Sequence, residues 1–138
     1  MVSSGTIHVR TIEQGRHMQR DWALIREILA VASSKAPGEK MLHTEIGGYF
    51  LMLVGDHIAA LNDAGCLKAL VIRAHGYVMW AAVTEMTAEG WELLDTLNCS
   101  QTWHRVVELA KKKELSFEFV RRMGGFRTWN SDARVNSN

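Results

Sequence analysis

Residues 67–84 read LKALVIRAHGYVMWAAVT, and the rest of the chain falls into place around them. Two runs rich in β-formers, Leu67 to Ile72 and Tyr77 to Thr84, flank the connection Arg73-Ala74-His75-Gly76. Short β-runs joined by a glycine-containing link predict an antiparallel hairpin. On its N-terminal side, Leu51, Val54, Ile58 and Leu61 recur at helical spacing and predict a helix from Phe50 to Ala64, closed by Ala64-Gly65. Gly55 interrupts that pattern and weakens its N-terminal half. Met41 to Ile46 predicts a short strand. Further out, Trp22, Ile25, Ile28, Leu29 and Ala32 mark an amphipathic helix of about 15 residues. Ser33-Ser34-Lys35-Ala36-Pro37-Gly38, with the chain's one proline, stops it.

On the C-terminal side, Thr87-Ala88-Glu89 reads as a helix start, with a hydroxyl cap and a carboxylate in the first turn. Trp91, Leu94 and Leu97 continue that helix to a break at Asn98-Cys99-Ser100. Trp103, Val106, Val107 and Ala110 form the stripe of the next one. Phe117, Val120 and Met123 suggest a last short helix before Gly124-Gly125. The order is helix, short strand, helix, hairpin, helices. It predicts an α+β, winged-helix-like domain: helices plus a two- or three-stranded antiparallel wing, with a helical C-terminal extension. The domain is expected over 18–123, after a poorly ordered or non-native lead at 1–17 and before a polar tail at 124–138.

The 138 residues are 47% hydrophobic and 22% charged, which suits one globular domain with its own core. Cys66 and Cys99 lie far apart and imply no disulfide framework. No run of about 18 apolar residues is present, so a cytoplasmic protein without a membrane partner is expected. The six histidines show no zinc spacing, no glycine-rich phosphate loop follows a strand, and Ser100 with His104 lacks an oriented base. The chain is therefore read as non-enzymatic, with no catalytic residue, metal or cofactor. His57 is read as structural, bonding the backbone or capping the wing, and Cys66 as a small buried hydrophobe. Most of Trp22, Trp80, Trp91 and Trp103 are assigned to the core, and Trp129 to a fold-back on it.

Four segments in order resemble a known family. They are Met18-Gln19-Arg20-Asp21-Trp22 leading into the first helix, His57-Ile58-Ala59-Ala60-Leu61-Asn62-Asp63-Ala64-Gly65, Met86-Thr87-Ala88-Glu89-Gly90-Trp91 running to Leu94-Asp95, and Trp103 with Val106-Val107. Together they resemble domain-of-unknown-function family 2513 over about residues 18–123. The resemblance implies a winged-helix-like protein common in phages and prophages, with no established activity and no catalytic residues to carry over. The chain departs from that pattern between Glu45 and Gly55, which is apolar and glycine-containing, so the second core helix is expected to be short or distorted.

Sixteen basic against fifteen acidic side chains leave a net charge of +1 that conceals a polarity. Residues 101–138 carry eight basic and four acidic groups; residues 1–100 carry eight and eleven. The helix expected to read DNA, Phe50 to Ala64, has no Lys or Arg and bears Asp56 and Asp63. Phosphate contacts would then come from the wing (Lys68, Arg73, His75) and the basic C-terminal helices (Arg105, Lys111, Lys112, Lys113, Arg121, Arg122). The first expectation is a DNA-associated regulatory protein of a phage or mobile element binding duplex DNA. The second is a protein-interaction module, such as a phage factor that binds a host or defence protein, with an apolar patch over Tyr49 to Leu53 serving a partner or a homodimer.

Overall fold

A computed structural model describes residues 19–124, so the expectations for 1–17, for Trp129 and for the tail beyond Gly124 lie outside the described residues. The first helix, α1 (Trp22–Ser33), begins where Asp21 turns its carboxylate back to accept from the Leu24 amide at 3.0 Å. Its stripe of Trp22, Leu24, Ile25, Ile28 and Leu29 is buried. Strand β1 (Met41–Leu42) is shorter than the sequence suggested, because His43–Glu45 winds into a single 3-10 turn. Glu45 stabilises that turn by accepting from the Leu42 amide at 2.9 Å. The second core helix, expected to be short or distorted between Glu45 and Gly55, is instead a regular helix of 13 residues from Leu51, and only Ile46 to Phe50 before it is irregular chain.

Helix α2 (Leu51–Asp63) crosses the sheet on its core side, chiefly against β3 (Tyr77–Met86) and also against β2 (Leu67–Ala74). Gly55, which weakened the helical pattern, is the contact point: a Cβ there would lie 2.9 Å from Cγ1 of Val78. The glycine is a packing requirement, and the helix runs straight through it. β2 runs on through Arg73 and Ala74, because the connection is only the two-residue turn His75-Gly76, and β3 runs on past Thr84 to Met86, paired with Leu67 and Lys68. Both turn residues have positive φ, 56° and 81°, as the type I′ turn of a tight hairpin demands. The sheet is antiparallel in the order β1-β3-β2, which leaves β2 at an edge.

Thr87 caps α3 (Ala88–Asn98), accepting from the Gly90 amide at 3.1 Å while donating to the Gly65 carbonyl at 2.6 Å. Gly90 lets the first turn of α3 sit on the backbone after α2; a Cβ would come within 1.8 Å of the Cys66 carbonyl oxygen. The Thr-x-Glu-Gly segment is thus a joint between two helices. α4 (Ser100–Ala110) follows after one residue, and a last helix α5 occupies 117–124. Phe117 meets Trp22 edge-on at 5.6 Å between centroids and brings the closing helix back onto α1. The fold is α+β, with helices packed on one face of a three-stranded antiparallel sheet. No helix among the described residues is long and apolar enough to cross a membrane.

The tryptophan assignment needs correction. Trp22 is buried, but Trp91 is 51% exposed, since α3 turns Leu93, Leu94 and Leu97 inward instead. Trp80 and Trp103 are half-buried, and the Arg26 guanidinium lies 3.8 Å over the Trp103 ring.

Candidate functional site

The polar groups that a DNA-reading helix would use are committed elsewhere. His57 is wholly buried. Its Nε2 accepts from the Asp21 amide at 2.9 Å, which places the proton on Nδ1, where it is donated to the Leu53 carbonyl at 2.8 Å. Burial pushes its pKa below the usual imidazole range. Asn62 spends its Oδ1 on the Ala69 amide at 3.0 Å, tying α2 to β2. What α2 shows to solvent is Leu51, Met52, Asp63 and the half-buried Asp56, whose carboxyl burial pushes up. Phe50, just before the helix, is 85% exposed. Tyr49 and Leu53 are half-buried, so the apolar patch expected over Tyr49 to Leu53 is narrower, centred on Phe50-Leu51-Met52. Cys66 is buried, and burial raises its thiol pKa, which disfavours the thiolate.

Most of the basic residues singled out on the hairpin and the C-terminal helices stand beside carboxylates. Lys68 lies 4.0 Å from Glu85, and Arg73 4.0 Å from Asp63. Lys111 pairs with Glu108, Arg121 with Glu92 and Arg122 with Glu118. These are exposed pairs of small individual worth, yet each places a negative charge beside a cation meant for phosphate. Lys113 sits over the Phe119 ring at 5.2 Å. Arg105 and Lys112 are exposed, and His75 stands at the tip of the hairpin.

The structure does bring some cations together. Lys111, Lys112 and Lys113 share a cleft of about 400 Å³ with Arg20. Arg20 stacks 4.4 Å over Phe117 and donates to the Leu115 carbonyl at 3.2 Å. Glu114 faces Arg20 there at 3.5 Å. No linear signal links Arg20 to the lysines, because helix α5 closes the gap. Lys68, Arg73 and His75 do not line this cleft, so the hairpin and the C-terminal cations do not form one site there. Among the described residues, no three His, Cys, Asp or Glu side chains converge where they could hold a metal.

The outer face of the sheet, turned away from α2, has a different character. Residues paired directly across strands share a face. Leu42 and Leu70 both flank Ala82, and Ile72 pairs with Trp80. Leu70 is 51% exposed and Ile72 56%, with Met79 and Tyr77 also exposed towards the turn. The register skips Thr84 and Met79 on β3, giving two bulges. An apolar surface thus spans all three strands, bordered by the Lys68–Glu85 pair. The signal lay in the sequence: Leu70-Val71-Ile72 is apolar at both parities, as in a strand covered on both faces.

No curated protein and no solved structure matches the chain. Residues 19–116 match the family described as hypothetical protein (DUF2513). That span includes α1, the sheet, α3 and α4, and it covers well over half of the sequence. The chain therefore belongs to domain-of-unknown-function family 2513.

Proposed function

We propose that this protein is a non-enzymatic protein-interaction module on a winged-helix-like scaffold, docking a partner protein against the outer face of its sheet. The order helix, strand, helix, hairpin supports the winged-helix reading, with α2, the second core helix, in the place of the recognition helix. The observation that carries the functional reading is the exposed surface of Leu42, Leu70, Ile72, Tyr77 and Met79, with the half-buried Trp80 beside them. Large exposed apolar patches on small domains mark interaction sites, and covering this one releases about 25 cal/mol per Å² of apolar area. The cation-free outward face of α2 and the carboxylates beside Lys68 and Arg73 weigh against DNA reading. The phage or mobile-element setting expected from the family resemblance would fit a factor that engages a host protein.

Two measurements separate this from a DNA-associated regulator. Binding to duplex DNA across a salt series is expected to show no specific complex. Tight binding that weakens steeply with salt, and falls when Lys111, Lys112 and Lys113 are changed to Glu, would replace this reading with phosphate contact through the Arg20 cleft. In crosslinked pulldowns from host cells, partners captured by the native chain are expected to be lost with Ile72→Lys and kept with Lys112→Glu. The reverse pattern would overturn the assignment of the face.

A further inference from the structure

We infer that β2 is a self-pairing edge, through which two copies of this chain join into one continuous antiparallel sheet. This uses the edge of the sheet and not its outer face, so it stands whether or not the face binds another protein. β2 has β3 on one side and, among the described residues, no strand on the other. The direction of its backbone groups follows from one bond: the Ala69 amide donates to Asn62, on α2, and so points away from β3. In an antiparallel strand the N–H and C=O of one residue point to the same edge, and successive residues alternate. Ala69, Val71 and Arg73 therefore direct their backbone groups outward, while Leu70 and Ile72 direct theirs to β3. Unpaired edge groups on an apolar strand of eight residues are a template for another strand.

The occupant that fits is a second copy. Among the described residues the Ala69 amide is already taken, which leaves Val71 and Arg73 as the residues with both groups open. A two-fold axis through Ile72 satisfies both at once: Val71 of each copy faces Arg73 of the other and exchanges N–H and C=O with it. The same register sets Ile72 against Ile72 on the outer face and Leu70 against Ala74. No like charges fall opposite one another. Lys68 meets the Gly76 turn, and Arg73 meets Val71 while keeping Asp63 beside it. The two cations sit towards the ends of the strand, so Ala69 to Ile72 pairs without an ion to desolvate. The apolar outer surfaces of both copies then run together across the junction. So short a junction buries less than the ~1,000 Å² of a stable interface, so the dimer dissociates on dilution.

Analytical ultracentrifugation of the full chain over a concentration series tests this. A reversible monomer–dimer equilibrium is expected; a monomer at every concentration up to the solubility limit overturns the inference. Val71→Pro removes an amide that faces away from β3 and leaves Leu70 and Ile72 in place. It is expected to weaken association by roughly tenfold or more. A Val71→Pro variant that dimerises like the native chain overturns pairing at this edge. Independently of that variant's folding, Ile72→Cys places two thiols at a non-hydrogen-bonded pair, where Cα atoms are about 4.5 Å apart and a disulfide closes readily. Its oxidised form is expected to be a covalent dimer through residue 72. An oxidised Ile72→Cys chain that stays monomeric, while Leu70→Cys crosslinks, overturns the register.

Discussion

His57 is buried and bonded at both ring nitrogens, and burial holds its pKa below that of a free imidazole. The sign of the pH effect follows. Above about pH 6.5 the ring is neutral in both folded and unfolded chains, and the contribution is complete. As the pH falls through the unfolded value, the unfolded chain takes up a proton that the folded one resists, so stability drops. Denaturant midpoints should fall on acidification below about pH 6.5, with a slope approaching 1.4 kcal/mol per pH unit from this group. His57→Gln should flatten the slope while lowering stability at neutral pH; a slope unchanged in that variant would assign the effect to another group. Gly90 acts through shape alone. Its missing Cβ makes room for the Cys66 carbonyl, so Gly90→Ala should cost about 3 kcal/mol or more in chemical unfolding. The sequence marked both residues as part of a family signature, but their bond partners, Asp21 and Leu53 for one and Cys66 for the other, depend on tertiary contact.

Among the elements, the hairpin shows what the sequence carried and what it did not. The two β-runs were legible from their branched and aromatic residues. The strand ends were not, because Arg73, Ala74 and Glu85 have weak strand preference and are held there by pairing. Pairing shrinks the four-residue connection to His75-Gly76, and His75 takes a φ of 56° that favours glycine or asparagine. His75→Asn should therefore raise stability by roughly 0.5–1 kcal/mol, read as a higher urea midpoint at unchanged slope. Loss of stability would mean that the imidazole makes a compensating contact. Helices α3 and α4 were placed closely by the Thr87 cap and the break at Cys99. β1 was overextended, because Glu45 folds back to the Leu42 amide, a bond that hydropathy does not register.

Across the whole molecule, the charge polarity read from the sequence survives only in part. Of the cations expected to face phosphate, all but the half-buried Arg121 are exposed. Their neighbours Glu85, Asp63 and Glu92 come from another strand or other helices, and linear counting does not place them beside the cations; helical spacing does place Glu118, four residues before Arg122. Arg20 shows the converse, a cation brought to the lysines by its contacts with Glu114, Leu115 and Phe117. The apolar outer face was hidden for a related reason. A hydrophobic strand looks alike in one chain whether a helix, a partner or nothing covers its second side.

The bond from the Asp21 amide to His57 spans 36 positions in the sequence. A helix N-terminus ordinarily frays because its first amides have only water to lose. Here the opening amide is held by a ring that is itself held inside α2, so releasing it means separating two helices. The first turn of α1 is therefore no soft end: it opens with the core, as part of the same cooperative unit.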